Sequence, residues 1–412
     1  MKNIKSLFLL YTFLLLTSIS FVYSYQKYDF IDFYPTIIAT KLYKSGNKDF
    51  IYRNIPYGNY RSEAWRNTEA ELLQKGPEET NFVYFPFYLY GFLVLDSFFS
   101  FEQIKIIFLL LNILLLSIII SDKIYHLKKN IYVSFFFISL LCISDPIRDI
   151  LILGQNIVFL YFLYILYYTS FLKKNEKRSI LFFLLAILVK PWAMAFVLTP
   201  LLNKKYSIFI KQSLALIIFL LFQYIVEPEL MVGFAKSLHL HSKLNILAYN
   251  NISISSFFER LLNVNFLLSH SVWESNSPGG ISPTKYLSML IAVLVLGLAF
   301  RSKRIKIKRI AVKITPILLL NIFWNHYILI YIDEFLKPGI LNEKIKNLFY
   351  FFLLISLNIS KFGVEFLLDV LLNPIPNHSI LLSLIICFQG IFLLYIYFYQ
   401  FFLKSRSKQV QN

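Results

Sequence analysis

Cysteine is nearly missing from this chain: there are two, Cys142 and Cys387, each inside an apolar run. Two such residues build neither a disulfide framework nor a typical zinc site, and they say little about redox compartment. The six histidines are scattered and offer no metal-ligand spacing. There is no glycine-rich phosphate loop, no His-Glu-x-x-His pair and no nucleophile elbow. Internal repeats and a low-complexity tail are lacking too. No small-x-small cleavage site precedes Tyr25, so residues 1–24, with Lys2 and Lys5 ahead of a long apolar run, read as an uncleaved first helix rather than a signal peptide. Acidic residues are scarce, 23 against 41 lysines and arginines, for a formal net charge of +18. In a soluble protein that excess suggests nucleic acid. Here the cations fall in short loops between apolar runs, as membrane orientation requires, and no nucleic-acid partner is expected.

What is abundant is apolar surface. Of 412 residues 57% are hydrophobic and 18% aromatic, with a mean hydropathy of +0.61. No soluble domain needs that much, so most of it faces lipid or other spans. Apolar runs occur near 5–24, 82–100, 103–124, 131–145, 152–172, 178–203, 206–227, 284–300, 309–335, 346–360 and 378–403. Runs of this length in lipid mean helices, because a helix satisfies its own backbone. The expectation is an all-α integral membrane protein: one multispanning bundle over residues 1–412, with about 11–13 spans. Its large extracytoplasmic segments are 25–81 and 228–283, the second with a loop-like centre and a short amphipathic helix at 254–264.

Basic clusters set the orientation. They are Lys128/Lys129, Lys173/Lys174/Lys177/Arg178, Lys204/Lys205, Arg301 to Lys313 and Lys404/Arg406/Lys408. The positive-inside rule places all of them, with the N-terminus, in the cytoplasm. For Lys174 and Lys204 both to be inside, the run 178–203 must reach the outer face and return. Its predicted turning point is Lys190-Pro191, where proline breaks the helix. The run 309–335 must likewise turn near Trp324-Asn325-His326, and 82–100 must be a short re-entrant or interfacial helix. Asp29, Lys190 and His326 then share one side of the membrane.

Several polar groups stand out against this background. Asp29 and Asp32 lie in Tyr-Asp-Phe-Ile-Asp-Phe-Tyr (28–34), at the bilayer edge and among aromatics. A spacing of three puts them on one helical face. One carboxylate suits a general base that takes a proton from an acceptor hydroxyl, and the plainer alternative is a helix N-cap. Lys190, inside an apolar run, either contacts a lipid phosphate or snorkels to the interface. Gln155 and Asn156 follow Gly154 at a helix mouth, where amides bind hydroxyls or phosphate oxygens, or cap the helix. Asn251, in Asn-Ile-Ser, is a hydrogen-bonding candidate or a glycosylation acceptor. Arg260 downstream offers a guanidinium fork for phosphate. Trp324 and His326 are interface anchors or a sugar-stacking and hydrogen-bonding pair.

In this order the pieces resemble the multispanning glycosyltransferases of the GT-C superfamily, and most closely family 87, the polyprenol-phosphate-mannose-dependent mannosyltransferase-like proteins. The resemblance covers roughly 1–330. Asp29-Phe-Ile-Asp-Phe-Tyr34 is similar to the family's Asp-Phe-x-x-Tyr-Tyr, and Tyr84-Phe-Pro86 to its Tyr-Pro-Pro. Gly154-Gln155-Asn156 is similar to its Gly-Gln-x-Asn, and Lys190-Pro191 to its Lys-Pro. Asn251-Ile-Ser253 with Arg260 is similar to its Asn-Gln-Ser and downstream Arg, and Trp324-Asn-His326 to its Trp-x-His. The chain departs from the pattern at Phe87 and Ile252, where the family has proline and glutamine.

The resemblance implies a hexosyltransferase in the bacterial cytoplasmic (inner) membrane, with its active site outside the cytoplasm. It moves a hexose, such as mannose, from a polyprenyl-phosphate donor to a lipid or glycan acceptor hydroxyl. Asp29 is the implied base of an inverting displacement and Asp32 the supporting acid. Lys190 and Arg260 hold the leaving phosphate as its charge develops. Gln155, Asn156, Asn251, Trp324 and His326 bind substrate. Such a donor carries no nucleotide pyrophosphate, so no metal or other cofactor is required. A lipid-linked-sugar transporter or flippase is the rival, disfavoured because there is no repeat and the polar groups gather at one face. A membrane scaffold or inactive relative is disfavoured by the intact Asp, Lys and Arg.

Overall fold

The computed structural model describes residues 2–25, 30–52, 63–73, 82–125, 138–139, 141–142, 144–243, 245–246, 251–262, 275–276, 283–320, 325–331, 394–395, 397–398 and 401. Apart from turns and a two-residue antiparallel ladder, Asn245–Ile246 (β1) against Ser275–Asn276 (β2), these residues are helical. In chain order the helices are α1 (Lys2–Tyr25), α2 (Tyr34–Lys44), α3 (Glu63–Leu73), α4 (Pro86–Phe98), α5 (Phe101–Tyr125), α6 (Asp145–Ile152) and α7 (Ile157–Leu172). There follow α8 (Glu176–Val189), α9 (Leu198–Leu202), α10 (Tyr206–Val226), α11 (Pro228–Lys243), α12 (Ile254–Leu262), α13 (Pro283–Arg301) and α14 (Ile305–Leu319). The protein is of the all-α membrane class that its composition predicts.

Among the described residues three helices, α5, α10 and α13, are long and apolar enough to cross a bilayer, and α6 with α7 makes a fourth if the bent pair is one span. Their outward faces carry bare hydrocarbon: Ile225 is 74% exposed and Val293 68%. Lipid covers such a face at no hydrophobic cost, where water would not.

Two predicted reversals are visible as contacts. Helix α8 stops at Lys190 because the residue before a proline is pushed out of the α region. Lys190 sits at φ −147°, ψ 119°, and a 3₁₀ turn over Pro191–Val197 leads into α9. The ends of this segment lie side by side. Glu176 at the start of α8 pairs with Lys211 of α10, and Gln212 Nε2 donates to Ser179 Oγ at 3.2 Å. The chain therefore leaves one end of the bundle, turns at Lys190-Pro191 roughly 20 Å away, and returns. Lys204 lies 5.4 Å over the ring of Phe300, next to Arg301, so the basic clusters at 173–178, 204–205 and 301–308 gather at one end, far from Lys190.

The second reversal follows α14. Lys313 Nζ donates to the Ile330 carbonyl at 2.7 Å, and the Tyr331 hydroxyl donates to the Lys313 carbonyl. A 3₁₀ turn over Asn325–Tyr331 thus lies back along α14.

Elsewhere the structure refines the expectation. The run 152–172 begins as the tail of α6, and α7 leaves it at an angle of 113°. The opening of segment 228–283 is helix α11, started by Pro228 with Glu229 in its first turn, both favourable at a helix N-terminus. The predicted amphipathic helix is present as α12, where Ser256 N donates to Ser253 Oγ at 3.2 Å as an N-cap bond. At 13 residues, α4 is about 20 Å long, too short to span.

Candidate active site at the breaks of two helices

Asp32 reaches the site from a turn, which corrects the helical-face expectation for Asp29 and Asp32. Residues 31–33 form a turn, Phe30 has φ +52°, and α2 begins only at Tyr34. The reason is tertiary. Phe30 N–H donates to the Ile152 carbonyl at 2.8 Å and Asp32 N–H to the Leu153 carbonyl at 3.0 Å. A helix end leaves its last carbonyls without partners, and the break after α6 satisfies two of them with this turn. Asp32 is not the N-cap of α2 either; Phe33 holds that position and makes no side-chain cap.

Gly154 makes the docking possible. It lies at φ +69°, and a Cβ there would stand 2.6 Å from Phe30 Cδ1 and 2.9 Å from Phe33 Cβ. A residue without a side chain is required both by the left-handed backbone and by the close approach.

The turn delivers Asp32 to Gln155, whose Nε2 donates to Asp32 Oδ2. Asn156 Nδ2 donates to the Tyr88 hydroxyl and to the Val189 carbonyl, each at 3.1 Å. The next residue, Lys190, is buried; its ammonium donates to the Tyr84 hydroxyl at 3.1 Å. It also lies 4.7 Å over the Tyr84 ring and 5.3 Å over the Tyr327 ring, within cation–π range. Tyr84 and Tyr88 stack at 4.4 Å. Burial pushes the Asp32 carboxyl up to about 6, against the opposing pull of the Gln155 amide and the Lys190 charge. The structure thus joins a carboxylate that titrates near neutrality to a sheltered cation, as in sites that accept a proton and hold an anion.

An apolar groove of about 330 Å³ opens beside this cluster, between α4, α7 and α8. Phe92, Leu95, Leu163, Leu185 and Leu188 line it, and Tyr88 and Val189 are shared with the polar site. A second polar cluster touches α4 through Tyr90: Glu227 accepts from the hydroxyls of Tyr43 and Tyr90 (2.7 Å) and pairs with Lys48 at 3.3 Å. Despite the cost of burial, these partners hold the Glu227 carboxyl below its ordinary value.

Of the residues singled out in the sequence, Asp32, Gln155, Asn156 and Lys190 come together. Asn251 is buried, and its Oδ1 accepts from Ser253 N at 3.2 Å, a local bond beside α12. Asp29 and Trp324 lie outside the described residues; so do the side chains of Arg260, on α12, and of His326, in the 3₁₀ turn. Three contributors were missed as site residues: Tyr84, Tyr88 and Tyr327. The chain has 28 tyrosines, so residue type gives no warning. The available signals were the Tyr84-Phe-Pro86 motif and the adjacency of Tyr327 to His326.

Comparison with curated proteins and with solved structures gives no match. The sequence model of glycosyltransferase family 87 matches residues 82–309. That stretch is just over half of the chain and contains Tyr84, Tyr88, Gln155, Asn156 and Lys190; with its membrane helices and this match, the chain belongs to glycosyltransferase family 87.

Proposed function

We propose that this glycosyltransferase moves a hexose, such as mannose, from a polyprenyl-phosphate donor to an acceptor hydroxyl in a single inverting displacement. The observation that carries this reading is the junction of half-buried Asp32 and buried Lys190 with the apolar groove. Isoprenoid carbon fits a groove lined by Leu and Phe. The phosphate at its head then meets Lys190, whose charge stabilises the leaving group as the glycosidic bond breaks. Arg260 is a second proposed phosphate ligand, and Asn251, Trp324 and His326 are proposed contacts to sugar or acceptor. Asp32 is the carboxylate whose surroundings favour the role of base, because a pKa near 6 matches the task at neutral pH. This exchanges the roles that the resemblance gives the two acids, and Asp29, three residues upstream, becomes the supporting group.

The proposed side is extracytoplasmic, in a cytoplasmic (inner) membrane of bacterial type. Supporting this are the basic clusters gathered at the opposite end of the bundle from Lys190.

The test is transfer by the purified full chain from a panel of polyprenyl-phosphate hexoses to lipid and glycan acceptors. Release of polyprenyl phosphate with a new glycosidic bond is expected, lowered about 10²- to 10⁴-fold by Asp32→Asn. Asp29→Asn is expected to cost less. Transfer from nucleotide sugars alone, or translocation of the lipid with no new bond, refutes the proposal.

A further inference from the structure

Gln155 and Asn156 lie at the break between α6 and α7 and Asn112 of α5 reaches it, and a partner fixes the orientation of each side-chain amide. Asn112 Nδ2 donates to the main-chain carbonyl of Gln155 at 3.3 Å. Asn156 Nδ2 donates to the Val189 carbonyl, and Gln155 Nε2 to the Asp32 carboxylate. Carbonyl and carboxylate oxygens have no proton to give, so each amide must face them with its NH₂ group. The other end of each amide is then a carbonyl oxygen. Asn112 Oδ1, Gln155 Oε1 and Asn156 Oδ1 are all buried without a hydrogen bond, in residues that are 0%, 4% and 3% exposed. Buried acceptors are nearly always satisfied, and Asn112 sits in the middle of an apolar span where a polar side chain is costly. Three such acceptors, linked through Gln155 and its neighbour, are a place that awaits donors.

This asymmetry decides which chemistry the amides take. A phosphate oxygen at neutral pH is an acceptor and cannot satisfy a carbonyl. A hydroxyl can. Lys190, one residue beyond Val189, is the reverse: three donors and no acceptor.

We propose that the carbonyls of Asn112, Gln155 and Asn156 receive hydroxyl groups of the transferred sugar, so that the site sorts its ligand by hydrogen-bond polarity, hydroxyls against the amides and phosphate against Lys190. The inference rests on the glycosyl-transfer reading above and adds which groups read the sugar, Asn112 among them. A site of this kind rejects an analogue that lacks one hydroxyl, because the acceptor is left buried and bare.

The test is binding of bare polyprenyl phosphate and of polyprenyl-phosphate mannose, glucose and their single-deoxy analogues to the purified full chain. Wild-type protein should bind the hexose lipids about 10- to 100-fold more tightly than the bare lipid, and loss of a hydroxyl that faces the amides should remove about tenfold of that gain. In Asn156→Leu, Gln155→Met and Asn112→Leu, which roughly keep volume and remove the acceptor, the preference for sugar-bearing over bare lipid should fall toward one. Equal binding of bare and hexose lipids by wild type, or indifference to every single deoxygenation, overturns the inference alone and means that water satisfies the amides. Failure of wild type to bind any of these lipids overturns the proposed donor as well. The deoxy series needs no substitution, so it decides the matter even if the variants do not fold.

Discussion

Replacing Gly154 with alanine adds one methyl group, and the structure says where it goes. At φ +69° any L side chain is strained, by about 1–2 kcal/mol. The new Cβ would lie 2.6 Å from Phe30 Cδ1, whereas ordinary contact begins at 3.4 Å, so the turn must retreat by about 0.8 Å. Overpacking of that kind costs a further ~1–3 kcal/mol. Phe30 and Phe33 flank Asp32, so the carboxylate moves with them. A misplacement on the order of 1 Å at a reacting group lowers the rate about 100-fold. Gly154→Ala is therefore expected to unfold at lower temperature by several degrees and to transfer sugar about 100-fold more slowly. Thermal unfolding in detergent and single-turnover transfer read the two effects. Gly297→Ala is the control, because a Cβ there meets no atom within 4 Å. Wild-type transfer by Gly154→Ala would refute the idea that this glycine seats the Asp32 turn.

Four further outcomes follow from the same geometry. Transfer should rise with pH through about 6, losing roughly tenfold per unit below that as Asp32 takes up its proton. The folded-state pKa lies above the unfolded value of about 3.9, so this group's protonation favours the fold as pH falls; an acid limb that tracks unfolding instead would contradict the assignment. Lys190→Met should abolish donor use. Tyr84→Phe, which removes the hydroxyl that receives the ammonium, should raise the donor KM about tenfold, and an unchanged KM would show that this hydrogen bond does not matter. Glu227→Leu should cost about 2–3 kcal/mol of stability, because Tyr43, Tyr90 and Lys48 lose their shared acceptor. An unchanged unfolding temperature would show that this cluster does not hold α4 in place.

The apolar runs, the basic loops and Pro191 carried much of the architecture on their own. Long hydrocarbon stretches admit only helices in lipid. The reversal at Lys190-Pro191 followed from two lysine clusters that had to lie on one side, and Glu176 against Lys211 confirms that the segment returns. These properties are local or additive along the chain, so they survive being read one residue at a time. The site was less accessible. Asp32, Gln155, Asn156 and Lys190 could be picked out as polar groups in apolar surroundings, yet the spacing of Asp29 and Asp32 suggested a helix that is not there. Local periodicity cannot report that a carbonyl of a broken helix 120 residues away will claim the Phe30 N–H.

Chain composition and charge pattern by themselves determined a helical membrane protein, the reversal at Lys190-Pro191, and most of the residues worth testing. Tertiary structure alone decided that Asp32 sits in a turn, that Tyr84 and Tyr327 surround the lysine, and that the amide of Asn112 belongs with those of Gln155 and Asn156. The physical reason is that hydrogen bonds in a bilayer must be closed within the protein. Which distant group closes each bond depends on how the helix ends meet, and no sequence window contains both partners.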